Sequence, residues 1–261
     1  YNTAVSPQAT ALVGTPPGAL SNTADANGTQ PAGDLIADAQ LAATQPAGVG
    51  NAVIAFMNPG GVRSPGFPAG NVTYGQAFTV QPFGNSLVTM TLTAQQIKDL
   101  LEQQFVGCLG QGTQRILQIS NGLKYEWDSA AAACSKIRNV VFTPTTVPVG
   151  GAPAVTGAPI TLVDAAGAVQ PVGPFRVTVN NFLATGGDGF TVLLGGTSVL
   201  GGAQDIDALV AYLERCLRAR DETGTDNRNQ AGKEYSVPQT KTLFRISGPA
   251  GNETVYWMVM P

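Results

Sequence analysis

The chain predicts an α+β fold, a mixed β-sheet flanked by helices. Three observations lead there. Apolar or alternating runs of strand length recur along the 261 residues, stretches with helical spacing are interleaved with them, and Pro/Gly-rich segments punctuate the two kinds. With 43% hydrophobic residues, the chain can bury a substantial core as one large domain or one domain with extensions.

Residues 1–32 are rich in Pro, Gly, Ala, Thr and Asn and carry only Asp25 as a charge, which predicts an extended lead-in to the domain. GDLIADAQLAAT, 33–44, places Leu35, Ile36, Ala39 and Ala42 on one side, an amphipathic helix announced by Gly33 and Asp34. NAVIAFMN, 51–58, is an apolar run suited to a strand covered on both faces. Pro59 stops it, and Gly60 and Gly61 give the loop 58–63 unusual backbone freedom. SLVTMTLT, 86–93, alternates Val88, Met90 and Leu92 with Thr89, Thr91 and Thr93, predicting a half-buried strand. Thr93 and Gln96 then form a capping box opening a helix with Ile97, Leu100, Leu101 and Phe105 on one face.

ILQIS, 116–120, and LKYEWD, 123–128, flank Asn121-Gly122 and predict a hairpin. Further strands are expected in NVVFTP, PITLVD, FRVTVN, TLFRIS and ETVYWMVM, with a Pro/Gly-rich loop inserted between 144 and 172. DIDALVAYLERCLRAR, 205–220, has Ile206, Leu209, Val210, Leu213 and Leu217 at helical spacing, and a solvated loop follows it.

Composition narrows function. Only 12% of residues are charged and the net charge is −3, so no electrostatic footprint exists for nucleic acid or an anionic membrane. No apolar run approaches the roughly 18 residues of a membrane span. The chain opens on Tyr1 with no basic or apolar leader, so it reads as a processed or excised piece. Histidine is absent, which leaves zinc hydrolases, Ser/His/Asp enzymes and two-metal phosphoesterases incomplete within this sequence; no catalytic or metal-ligating set is assigned. Cys108, Cys134 and Cys216 lie at no metal-ligand spacing. They read either as three buried thiols or as a Cys108–Cys134 disulfide with Cys216 left over.

What remains is suited to holding a ligand. Arg63 is the only Lys or Arg in the first 97 residues and ends the Gly-rich loop; it is a surface arginine or a planar fork for phosphate or sugar hydroxyls. Asn58 caps the turn or bonds a base edge. Phe83, beside Gly84 in QPFGN, and Phe182, just past FRVTVN, are core rings or loop aromatics able to stack on a flat base. Asp188 stands among Gly186, Gly187 and Gly189, either an Asx-turn residue or a carboxylate that a ribose can approach.

GDLIADAQLAAT, FMNPGGVR, TYGQAFTVQPFGNSLVTMTLTAQQIKDLLEQQ, ILQISNGLKYEWD and NNFLATGGDGF occur in this order. Together they resemble the C-terminal domain of the 5'-nucleotidase family, from about residue 33 to 190 and more weakly to 217. The resemblance implies a nucleotide-binding domain over 33–217, with 218–261 as a loop and C-terminal strands of the same domain. It implies a parent with an N-terminal metallophosphoesterase domain carrying two divalent metal ions and the catalytic residues, this domain supplying specificity for a nucleoside 5'-monophosphate or related nucleotide. Phe83 and Phe182 are then expected to sandwich the base, Asp188 to hold the ribose, and Asn58 and Arg63 to contact base and ribose or phosphate. The isolated chain is expected to be inactive and to need no cofactor of its own, and the parent to be secreted, periplasmic or cell-surface. One departure stands out: the family's arginine and glutamate ahead of the first helix are missing from ANGTQPA, 26–32. A non-catalytic nucleoside-binding or surface-interaction module with the same fold is the alternative.

Overall fold

The apolar run before Pro59 forms a strand buried along its whole length, with Ile54, Ala55, Phe56 and Met57 all at 0% exposure. The computed structural model describes residues 8–16, 18–146, 154–221, 239–247 and 252–260, with side chains through residue 214. Its strands in chain order are β1 (Leu12–Gly14), β2 (Leu20–Ser21), β3 (Ile54–Met57), β4 (Gly66–Phe67), β5 (Val72–Thr73), β6 (Ser86–Leu92), β7 (Gln118–Ile119) and β8 (Leu123–Asp128). They continue with β9 (Ile137–Phe142), β10 (Thr145–Thr146), β11 (Ala154–Val155), β12 (Ile160–Val163), β13 (Phe175–Asn180), β14 (Thr197–Gln204), β15 (Gln239–Ser247) and β16 (Asn252–Met260). The helices are α1 (Pro31–Thr44), α2 (Tyr74–Val80), α3 (Ala94–Glu102), α4 (Asn181–Ala184) and α5 (Asp205–Asp221).

A mixed sheet runs in the order β14-β6-β13-β3-β7, and an antiparallel sheet in the order β12-β9-β8-β16-β15. In the mixed sheet only β13 and β3 are parallel, with Val177 opposite Ile54 and Thr178 opposite Ala55. Alternate residues of β3 feed two cores. Ile54 and Phe56 join the cluster between this sheet, α3 and the antiparallel sheet, while Met57 joins Ile36, Ala39, Val80, Leu209 and Leu213 beneath α1, α2 and α5. This is the α+β architecture expected. The lead-in contributes β1 and β2, which pair with β5 and β4.

Four sequence expectations change. The helix at 33–44 begins two residues earlier, at Pro31, and is not amphipathic in effect, because it is covered almost all round. Its buried acids have work to do: Asp34 Oδ1 accepts from the Ile119 amide at 3.3 Å and Asp38 Oδ1 from the Asn121 amide at 2.6 Å. The hairpin expected across Asn121-Gly122 does not form. Strand β7 pairs with β3, whereas β8 pairs with β9 and β16 in the other sheet. The amides of β7 and its exit are already taken by Ala55 and the α1 carboxylates, so the Asn-Gly turn carries the chain from one sheet to the next.

Strand β6 is central and not half-buried. Its Thr89, 1% exposed, bonds Thr178 at 3.0 Å, and Thr178 bonds Thr44 of α1 at 2.6 Å. Threonine satisfies itself there through hydroxyl pairing, which binary patterning reads as solvent exposure. The expected loop at 144–172 contains the small β10–β11 pair, and β14 was not foreseen because TSVLGGAQ is exposed throughout and holds two glycines. The edge strand is tied down by Arg176, whose Nη1 donates to the Ser198 carbonyl at 2.7 Å and to Thr91 Oγ1 at 3.0 Å.

The capping box at Thr93 and Gln96 forms, with Thr93 Oγ1 accepting from the Gln96 amide and Gln96 Oε1 from the Thr93 amide. The same device at Thr73 and Gln76 opens α2. Strands form at NVVFTP, PITLVD, FRVTVN, TLFRIS and ETVYWMVM, and α5 covers the expected 205–220. The Leu217 and Cys216 side chains and the loop after α5 lie outside the described residues.

Cys108 and Cys134 form a disulfide that spans 26 residues and ties the segment after α3 to the β8–β9 turn. Closing a loop of that size constrains the unfolded chain by about 3 kcal/mol. Replacing both cysteines with serine should lower the melting temperature by roughly 5–10 °C relative to the oxidised chain. Calorimetry with and without reductant checks this; an unshifted melting point contradicts it.

Asp205, 1% exposed, heads α5, its Oδ1 accepting from the Ile206 amide at 2.8 Å. Burial pushes its carboxyl above the usual range, only partly offset by hydrogen bonds from Asn85 and that amide. A raised folded-state pKa means that the folded chain binds the proton more tightly, so this group's contribution to stability falls as pH rises from the unfolded value, about 3.9, through the raised value. Asp205→Asn keeps the cap and should flatten that part of the curve. Denaturation midpoints from pH 3.5 to 7 test it, and a slope unchanged by the substitution refutes it.

Candidate functional site

The parallel neighbours β3 and β13 end side by side, and the residues that follow them build one open cleft of about 440 Å³. Asn58, Gly60, Gly61, Arg63, Phe83, Asn85, Phe182 and Asp188 line it. All five side chains singled out in the sequence therefore meet at one place, although Asn58 and Asp188 stand 130 positions apart.

Asn58 is 4% exposed and makes no capping bond to the turn Pro59–Gly61 that it precedes. Its Nδ2 donates to Asp188 Oδ2 at 2.8 Å, and its Oδ1 accepts from Asn180 Nδ2 at 3.0 Å. Asn180 Oδ1 in turn accepts from the Leu183 amide at 2.8 Å, capping α4. Three polar groups thus form a directed relay from the end of β13 to the acid, which fixes the orientation of both amides.

Asp188 sits at φ 55°, in the left-handed region that L-residues other than Asn and Asp rarely adopt. Gly187 beside it tolerates no Cβ, since one would lie 2.5 Å from the Phe182 carbonyl and 2.6 Å from its ring. The acid is gripped from behind as well: Gln111 Nε2 donates to its carbonyl at 3.0 Å, and Arg115 Nη1 lies 3.5 Å from its Oδ1.

Phe83 is 47% and Phe182 44% exposed, which rules out the core reading for both rings. Phe182 rides on the single turn α4, directly after β13. Arg63 is exposed at the end of the Gly-rich loop, its backbone amide bonded to the Val80 carbonyl. Its guanidinium carbon stands 4.9 Å above the Phe83 centroid, a cation–π contact. Among the described residues Arg63 forms no ion pair. The cleft therefore offers aromatic faces, one carboxylate and one unpaired guanidinium. Among the described residues no cluster of three metal-ligating side chains occurs, and no helix is long and apolar enough to cross a membrane.

Sequence reading missed four contributors: Asn85, Gln111, Arg115 and Asn180. Asn180 was findable, since Asn-Asn at a strand's end followed by a short helix is an N-cap signal. Arg115 and Gln111 carry no local signature; only the tertiary fold brings them to Asp188.

The 5'-nucleotidase, C-terminal domain family model matches residues 8–195. Endonuclease YhcR of Bacillus subtilis is 26% identical over 190 residues, which cover 72% of this chain and 13% of that protein. Trifunctional nucleotide phosphoesterase protein YfkN of the same organism is 31% identical over 161 residues, covering 61% of this chain and 9% of that one. The crystal structure of a 5'-nucleotidase precursor from Thermus thermophilus superposes with a TM-score of 0.65 at 29% identity, covering 82% of this chain and 38% of that chain. This chain spans well under half of each of these proteins. With the family match running across most of its length, the chain belongs to the family of 5'-nucleotidase C-terminal domains.

Proposed function

We propose that this chain is the substrate-recognition domain of a two-domain, metal-dependent 5'-nucleotidase-like phosphohydrolase, and that the cleft binds a nucleoside 5'-monophosphate or a related nucleotide. The observation that carries the reading is the convergence of two exposed phenylalanines, one carboxylate and one unpaired arginine on a single cleft at the ends of two parallel strands. Ligands commonly bind at the carboxyl ends of parallel strands.

In this reading Phe83 and Phe182 take the two faces of the base, with the Arg63 guanidinium 4.9 Å from the Phe83 centroid. Asp188 accepts the ribose hydroxyls. Arg63 turns its free donors toward the phosphate or ribose, and the second N–H of Asn58 remains for the ligand. The domain's contribution to catalysis is positioning. Metal-activated water chemistry would come from two divalent ions held by a separate N-terminal domain. A secreted, periplasmic or cell-surface setting agrees with the Cys108–Cys134 disulfide.

A second reading, a non-catalytic nucleoside-binding or surface-interaction module, is favoured by the lack of any basic residue before Arg63. Metal-binding motifs encoded upstream of Tyr1 in the parent gene would decide for the enzyme.

Stacking on an aromatic ring is worth about 1–3 kcal/mol per base. Phe83→Ala and Phe182→Ala should each weaken AMP binding to this chain by roughly 5- to 100-fold, read by calorimetric or NMR titration. Affinities equal to wild type for both variants would sink the stacking assignment.

A further inference from the structure

We propose that Arg115 is a positioning residue that makes the cleft selective for ribonucleosides, by presenting the Asp188 carboxylate to a vicinal diol; the inference rests on the nucleotide reading above. The carboxylate is held at both ends. Asn58 donates to Oδ2 at 2.8 Å, and Arg115 Nη1 faces Oδ1 at 3.5 Å. Held at one oxygen alone, the group would turn about its Cβ–Cγ bond; held at two, it keeps one aim. On a carboxylate both oxygens accept and neither donates. A cis-diol is then met by two acceptors in one fixed orientation.

The support behind Arg115 is built. Its backbone amide donates to the Gln104 carbonyl at 2.9 Å, and the Leu117 amide donates to Gln104 Oε1 at 2.7 Å, so α3's exit fixes the chain on both sides of Ile116. Gln118 Nε2 donates to the Gly28 carbonyl at 3.0 Å, which joins the same stretch to the lead-in. Gln111, four residues earlier, holds the Asp188 carbonyl, and its own backbone closes onto Gly107 and Cys108, the disulfide residue. One braced loop therefore grips Asp188 by main chain and side chain together. The Arg115 Nε is buried with no hydrogen-bond partner, so the guanidinium is held there at a cost, and its ion pair is with Asp188.

The test titrates the full chain with adenosine and uridine against their 2'-deoxy counterparts, followed by backbone amide shifts. Wild type should prefer each ribonucleoside by about tenfold or more, the loss expected for one hydrogen bond to a charged group. In Arg115→Gln that preference should fall toward unity, Arg115→Lys should restore part of it, and Phe83→Ala should weaken both members of a pair while leaving their ratio intact. Arg115→Met, which keeps the apolar stem, is the second variant and carries the same expectation as Arg115→Gln. Binding by the Gln and Met variants with the wild-type ratio overturns this inference alone. Wild type that binds none of the four nucleosides overturns the nucleotide reading and this inference with it.

Discussion

The parallel pairing of β3 with β13 is the constraint on which the site depends. Val177 opposite Ile54 sets where both strands end, so Asn58 and Asn180 emerge on the same edge with their amides in reach of one another. A shift of one residue would turn each side chain to the opposite face and break the relay. From that fixed point the rest follows: Asn58 anchors Asp188, Asn180 caps the turn carrying Phe182, and the Gly-rich loop delivers Arg63 to Phe83.

The register is protected from behind by polar contacts in otherwise apolar layers. Thr178 on β13 joins Thr89 on β6 and Thr44 on α1 in one hydroxyl chain, locking helix and strands together. Asp34 and Asp38 reach past β3 to the backbone leaving β7, while Ser120 Oγ accepts from the Ala55 amide at 2.9 Å. Because unsatisfied partners in such a setting are costly, these contacts select one arrangement over slipped ones. Glu102 at the end of α3 does similar work for the second sheet, accepting from the Lys136 and Ile137 amides at 2.9 Å each. The loop bearing Gln111 and Arg115 leaves that same helix end, so the floor of the site and the seam between the sheets share one support.

The legible parts were those encoded locally. An apolar run closed by Pro59 specifies a buried strand, Thr93 with Gln96 specifies a helix start, and the glycines around Asp188 mark a turn whose backbone takes positive φ at Gly186, Asp188 and Gly189. The parts that were not legible depend on distant partners. Thr89 looks solvent-facing until Thr178 satisfies it. Asn121-Gly122 has hairpin chemistry, but the flanking amides were claimed by α1, 83 residues upstream for Asn121. Arg115 resembles any surface arginine until the fold sets it against an acid 73 residues further along the chain, and nothing between them in sequence marks the pair.

We take the cleft at the ends of β3 and β13 to be a nucleotide site organised around Asp188. A crystal structure of this chain soaked with AMP tests it most directly. The base is expected between Phe83 and Phe182, with ribose hydroxyls on the Asp188 carboxylate and the side chains of Asn58 and Arg115 unmoved. AMP bound elsewhere, or a cleft left empty at saturating AMP, would contradict it.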